Sequence, residues 1–277
     1  MNIHFISGLP RSGGSLLSAL LQQNLTLHSR FVSPLYHIIA DMERSMSPLY
    51  DTSGDLIEEE KLNMMRAVFS AYYARNHGQI KFDSSQYWTG KQALLGRLFP
   101  DSVMICVVRD LVDILNSFEH LYQKYPLYLS KFYGFNPHTT IASRASFLCS
   151  SDGPVGKAWD GLSELYHSAR EKKSILFLEY SDVVRFPMIA LNKIHTKINA
   201  PMWEYSDNLD AHLPDTAYEY RVNMPNLLFV GHKVKAVSRK LILPPDLVKQ
   251  YSGREFWRGP TSSLAVKYFQ EAGSDLV

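Results

Sequence analysis

The 277-residue chain is 45% hydrophobic and 20% charged, with 29 basic residues against 27 acidic ones. This is a globular composition with length for one large α/β domain or two small ones, and it excludes a largely disordered chain. A net charge of +2 gives no electrostatic footprint for nucleic acid, although local cations can still hold small anions.

The two cysteines, Cys106 and Cys149, are too few for a disulfide framework, and Cys106 lies in an apolar run where a thiol behaves as a small hydrophobe. No apolar run is long enough to span a membrane, and a strand begins almost at Met1 without a signal-type segment. These features lead to the expectation of a cytoplasmic enzyme in which the sequon Asn24-Leu25-Thr26 is irrelevant. The ten histidines show neither HExxH nor close-pair spacing, so no metal site is expected.

Residues 3–6 are apolar and pass through Gly8-Leu9-Pro10-Arg11-Ser12-Gly13-Gly14-Ser15 into leucines at 16, 17, 20 and 21, which share one helix face. Strand, glycine-rich turn and helix, in that order, gather backbone N–H groups and a positive helix end around a phosphate. In the register GxxxxGK(S/T), Gly8 and Gly13 take the glycine places and Ser15 the hydroxyl place, but Gly14 stands where the lysine belongs. Ordinary Mg²⁺-dependent NTP hydrolysis is therefore a poor match. Arg11 carries the cation inside the turn, where its planar fork spans two anionic oxygens.

Beyond this helix, residues 31–39 contain Ser33-Pro34 and read as a loop entering a short helix near the mouth of the turn. Residues 55–76 predict a helix capped by Asp55, with Leu62, Met65, Val68, Phe69 and Tyr72 as core. A short strand at 79–83 and a helix at 89–98 precede residues 103–108, whose continuous apolar run predicts a central parallel strand buried on both faces. Arg109 ends that run and faces the crevice where open α/β sheets bind ligands. Ser117 follows two turns into a helix starting near Leu111, which keeps its hydroxyl on the mouth side.

Residues 121–156 are rich in aromatics and turn formers, and are expected to form a cap or acceptor-pocket insertion. A helix at 155–172, a strand at 174–180 and a helix through Ala190, Ile194 and Ile198 follow. The densest basic cluster comes next, with Lys233, Lys235, Arg239 and Lys240, and a terminal helix starts after Leu243-Pro244-Pro245-Asp246. This alternation predicts one α/β domain over 1–277, with a mainly parallel sheet flanked by helices.

The string Gly8-Leu9-Pro10-Arg11-Ser12-Gly13-Gly14-Ser15-Leu16 resembles the phosphosulfate-binding loop of sulfotransferases that use 3′-phosphoadenosine 5′-phosphosulfate (PAPS). That loop commonly reads PRSG(S/T)(S/T), and Gly14 departs from it by lacking a hydroxyl. Arg109 and Ser117 resemble the family's 3′-phosphate element, and Glu179-Tyr180-Ser181-Asp182 its RYEDL segment with Glu179 in the arginine place. The resemblance implies a P-loop NTPase-like fold and metal-independent transfer of a sulfuryl group from PAPS to a hydroxyl or amine of a small-molecule, lipid or saccharide acceptor, leaving adenosine 3′,5′-bisphosphate (PAP). Arg11, Ser12, Gly13, Gly14, Ser15 and Leu16 would hold the phosphosulfate, and Arg109, Ser117, Lys233, Lys235, Arg239 and Lys240 the 3′-phosphate.

For the base, Asp83 occupies about the place of the histidine in the Lys-Thr-His element of cytosolic sulfotransferases; His37 is the alternative, His120 a third, and Lys91 an anion contact. Two other classes stay open: a nucleotide kinase with a degenerate P-loop, and an inactive PAPS- or PAP-binding protein. The expected partners are the nucleotide co-substrate and an acceptor, and a homodimer is left open.

Overall fold

The computed structural model describes residues 1–47, 56–76, 79–126, 138–168, 174–214, 228–237 and 239–258. Its strands are β1 (Asn2–Gly8), β2 (Leu27–Ser29), β3 (Ile80–Ser84), β4 (Met104–Val108) and β5 (Ile175–Glu179). They form one parallel sheet in the order β2-β3-β1-β4-β5. The helices are α1 (Gly14–Leu21), α2 (Leu35–Ser45), α3 (Glu58–Tyr73), α4 (Gln92–Leu98), α5 (Leu111–Lys124), α6 (Ile141–Leu148), α7 (Pro154–Ser168), α8 (Tyr180–Arg185), α9 (Pro187–Lys197) and α10 (Pro245–Tyr251).

Strand side chains alternate between faces, so a strand covered on both sides needs apolar residues at every position. In β4 this is what occurs: Met104, Cys106 and Val108 enter one apolar cluster, and Ile105 and Val107 the other. β1 divides the same way, with Ile3 and Phe5 on the first face and Ile6 on the second. Leu62 and Phe69 of α3, Ile114 and Phe118 of α5, Leu162 of α7 and Leu247 of α10 cover the first face. Leu17 and Leu20 of α1, with Leu191 and Ile194 of α9, cover the second.

The sequence reading of this layered α/β domain holds, with local differences. The three-residue β2 is too short to carry a periodic signal, yet it supplies an edge strand paired to β3. The expected cap Asp55 lies outside the described residues; Glu60 instead reaches back to the Ile57 N–H at 2.9 Å, and Glu58, Glu59 and Glu60 stand at the positive end of α3. The helix after β5 is divided into α8 and α9 at Phe186-Pro187, because proline starts a helix well but cannot continue one.

Within 121–156, the described parts belong to the end of α5, to α6 and to the start of α7. Ala145, Leu148 and Val155 enter the first-face core, and Tyr122 and Tyr125 pack against it. Buried Arg144 of α6 holds Glu119 of α5 through two hydrogen bonds, at 2.9 and 2.7 Å. Tyr128, Phe132, Tyr133 and Phe135, also read as part of the cap, lie outside the described residues. No helix among the described residues is long and apolar enough to cross a membrane.

Candidate active site

β1 ends in a turn whose shape is set by three left-handed residues: Gly8 at φ 111°, Arg11 at φ 60° and Gly13 at φ 98°. Two of these places tolerate nothing but glycine. A Cβ at Gly8 would lie 2.1 Å from Val107 O, and one at Gly13 would lie 2.7 Å from the Tyr180 ring. Arg11 takes the same backbone region with a full side chain, a costly conformation that concentrates at functional sites. Gly14 differs from both neighbours. Its added Cβ would meet only Ile6 Cγ2 at 3.9 Å, so the position lacks a hydroxyl without needing glycine.

Ser12 is buried, with its Oγ 2.5 Å from Leu9 O and 2.7 Å from Val107 O. Its single hydroxyl proton is committed to these carbonyls, so the side chain braces the turn against β4 rather than facing a ligand, which corrects the expected hydroxyl contact. In α1 the first ladder bond runs from Leu17 N–H to Gly13 O at 3.0 Å. The N–H groups of Gly14, Ser15 and Leu16 are therefore left over at the positive helix end.

The turn and the start of α5 meet directly. Arg11 Nε donates to Ser117 Oγ at 3.3 Å, and Arg109 Nη1 donates to Arg11 O at 3.4 Å. Arg109 also stacks on the Tyr180 ring at 4.4 Å and reaches Asp113 Oδ2 at 3.3 Å. Tyr180, part of the segment that resembles RYEDL, lies against both Gly13 and Arg109. Glu179, standing where the family has arginine, takes the fork of Arg258 at 2.7 and 2.5 Å, and Arg258 also pairs with Asp110 at 2.8 Å. An arginine distant in sequence thus ties the ends of β4 and β5 together. Burial and the neighbouring Arg109 both lower the pKa of Arg239.

All of these converge on a cavity of about 1060 Å³. Its lining includes residues 11–16, Arg109, Ser117, Tyr180, Lys233, Lys235 and Arg239, together with Arg30, Phe31, His37, Tyr72 and Tyr87. Arg30 and Tyr87 carry no spacing signal because sheet order brings them here, and Tyr72, expected as core from its helical spacing, lines the cavity as well. His37 is exposed on α2 between Tyr36 and Tyr87, with ring centroids 5.3 and 6.4 Å away.

Four expected contacts fall elsewhere. Asp83 is fully buried, accepting from Tyr73 Oη at 2.6 Å and Trp88 Nε1 at 2.7 Å, and it does not line the cavity. Burial raises its pKa against the opposing effect of these donors. Its side chain projects to the α3 face, so the strand's end reaches the crevice but this carboxylate does not. Lys240 is exposed outside the cavity, and its carbonyl receives Asn116 Nδ2 at 3.2 Å and contacts His120 Nε2 at 2.7 Å. His120 is held there, away from the cavity lining. Lys91 forms an ion pair with Glu43. Among the described residues, no group of three or more His, Cys, Asp or Glu side chains could hold a metal ion.

The solved sulfotransferase domain from the curacin biosynthetic pathway is similar over 90% of this chain and 96% of its own, at 17% identity and a TM-score of 0.54. The sulfotransferase domain of the Synechococcus PCC 7002 olefin synthase covers 90% and 92%, at 16% identity and a TM-score of 0.49. No curated protein sequence matches. The family described as Sulfotransferase family matches residues 4–205, which take in the turn, Arg109, Ser117 and Tyr180, and the chain accordingly belongs to the sulfotransferase family.

Proposed function

We propose that this sulfotransferase uses PAPS as donor and sulfates a hydroxyl of a small-molecule acceptor. The observation that carries the reading is the contact of Arg11 with Ser117 and of Arg109 with the Arg11 carbonyl. It joins a phosphosulfate turn to a 3′-phosphate element in one cavity and makes a two-ended clamp for a bisphosphorylated nucleotide. ATP has no 3′-phosphate for the second end.

Arg11 and the N–H groups of Gly14, Ser15 and Leu16 hold the phosphosulfate and stabilise negative charge on the bridging oxygen as its bond to sulfur breaks. Arg109, Ser117 and Arg239 hold the 3′-phosphate, with Lys233 and Lys235 at the cavity rim. His37 takes the acceptor's hydroxyl proton as the new sulfur–oxygen bond forms; among the candidate bases it alone lines the cavity. The clamp uses guanidinium and N–H groups for charge stabilisation, so this scheme assigns no step to a divalent cation.

The test is transfer of label from sulfur-labelled PAPS to a small-molecule extract, comparing the native chain with Arg11→Ala. Native protein is expected to label at least one acceptor, and Arg11→Ala to lower the rate by about 100-fold or more. Equal rates would remove Arg11 from the mechanism, and no labelled product from any acceptor pool would favour a binding protein.

A further inference from the structure

The cavity wall across from the nucleotide clamp carries a guanidinium that sulfuryl transfer leaves unused. Arg30 directly follows β2, and its backbone is fixed on both sides: its N–H donates to Phe82 O at 3.4 Å, and its carbonyl accepts from Ser18 Oγ at 3.0 Å. The side chain lies over the Tyr72 ring at 4.6 Å. Its Nη2 donates to Asn76 Oδ1 at 3.3 Å, and its buried Nε has no hydrogen-bond partner among the described residues. Asp83 acts on Arg30 electrostatically, but among the described residues no carboxylate lies within ion-pair distance of the guanidinium. The Asp83 oxygens are taken by Tyr73 and Trp88. No Asp or Glu among the described residues lines the cavity.

Sheet order places this charge on the acceptor side. In the order β2-β3-β1-β4, Arg30 follows the first strand and Arg109 the last. Three strand spacings of about 4.8 Å separate those strands by roughly 14 Å. The turn after β1 stands between them. A nucleotide running from that turn toward Arg109 extends away from Arg30, leaving Arg30 among Phe31, Tyr72 and Tyr87.

We infer that the acceptor is a hydroxy acid whose carboxylate is bound by the outer N–H groups of Arg30 while its hydroxyl reaches the transfer site, with an apolar frame between the two. One planar guanidinium, carrying one charge and a parallel pair of donors, suits a carboxylate. An apolar frame suits the aromatic wall. This inference rests on the sulfuryl-transfer reading.

The test titrates the PAP-loaded full chain by calorimetry with 4-hydroxybenzoate, 3-hydroxydodecanoate, the methyl ester of each, and 4-hydroxyphenyl phosphate. The same compounds are then offered with labelled PAPS. At least one acid is expected to bind about tenfold or more tighter than its ester and to be sulfated with the higher kcat/KM. Arg30→Gln should bring the acid-to-ester ratio near one while PAP affinity stays within about twofold, which also reports an intact fold; Arg30→Lys should restore part of the preference.

The inference is overturned if neither acid binds, if acid and ester are equivalent, if the phosphate monoester is preferred, or if the preference survives Arg30→Gln. Failure of the native chain to bind PAP or to transfer label would instead sink the transfer reading, while the acid-to-ester comparison would still be read by calorimetry on the chain without PAP.

Discussion

The two ends of the cavity are built by different means. The proposed nucleotide end is framed by backbone: left-handed glycines and leftover helix N–H groups set its shape, the Ser12 hydroxyl ties the turn to β4, and the Arg11, Arg109 and Ser117 side chains are mounted on that frame. The acceptor end is made of side chains on separate segments, with Arg30 after β2, His37 on α2, Tyr72 on α3 and Tyr87 after β3. A backbone-built end admits few substitutions and fixes one ligand geometry. A side-chain-built end can change its ligand without disturbing the sheet, which suits one donor shared by enzymes with different acceptors.

The strongest way to break this contrast is to make the same small substitution in the turn after β1 and in the turn that follows Tyr87. Gly8→Ala forces a Cβ to within 2.1 Å of Val107 O at a φ of 111°. It should cost about 4 kcal/mol or more in denaturant unfolding, with PAP binding lost. Gly90→Ala, in the 3₁₀ turn Trp88–Lys91 that follows Tyr87, meets nothing within 4 Å. It should change stability by less than about 1 kcal/mol. Equal effects would dissolve the distinction.

Acidity separates the sheet from the site it carries. Buried His4 accepts the Val103 N–H at its Nδ1 at 3.0 Å, and burial lowers its pKa from 6.5 to about 4. The unfolded chain therefore binds the extra proton first. Stability from this group is full above pH 6.5 and is lost as pH falls toward 4, by about 3 kcal/mol. His4→Asn keeps an acceptor there and should abolish that slope in unfolding measured from pH 4 to 7. An acid limb of activity that vanishes in His4→Asn belongs to the sheet; one that remains belongs to the cavity. An unchanged slope would contradict the His4 account.

A smaller loss than those of Gly8→Ala and His4 protonation is expected at Asp83. Asp83→Asn retains an acceptor for Trp88 but sets an amide against the Tyr73 hydroxyl, which should cost about 2 kcal/mol. The pH profile of sulfuryl transfer, corrected for the folded fraction, should stay unchanged. A rate loss above about 100-fold without loss of stability would return Asp83 to the role of base.

The same contrast explains what could be read from the sequence. Gly8, Arg11, Gly13, Arg109 and Ser117 sit at fixed spacings because one turn and one helix start impose them, and the all-apolar β4 announces a strand buried on both faces. Arg30 has no such spacing, because its place depends on a three-residue edge strand and on the order of the sheet. Asp83 stands at the strand end that the sequence predicts, but position along a strand does not say which face a side chain takes; alternation turns Phe82 to one cluster and Asp83 to Tyr73 on the other side. The Arg258–Glu179 pairing joins residues far apart in the chain, where no local pattern reports it.

The central claim, a clamp for a nucleotide phosphorylated at both the 5′ and 3′ positions, is tested most directly by calorimetry of PAP, 5′-AMP and ATP against the native chain without added metal. PAP is expected to bind about 100-fold tighter than either, equivalent to about 2.7 kcal/mol for the 3′-phosphate held by Arg109 and Ser117. ATP binding as tightly as PAP, or 5′-AMP indistinguishable from PAP, would contradict it.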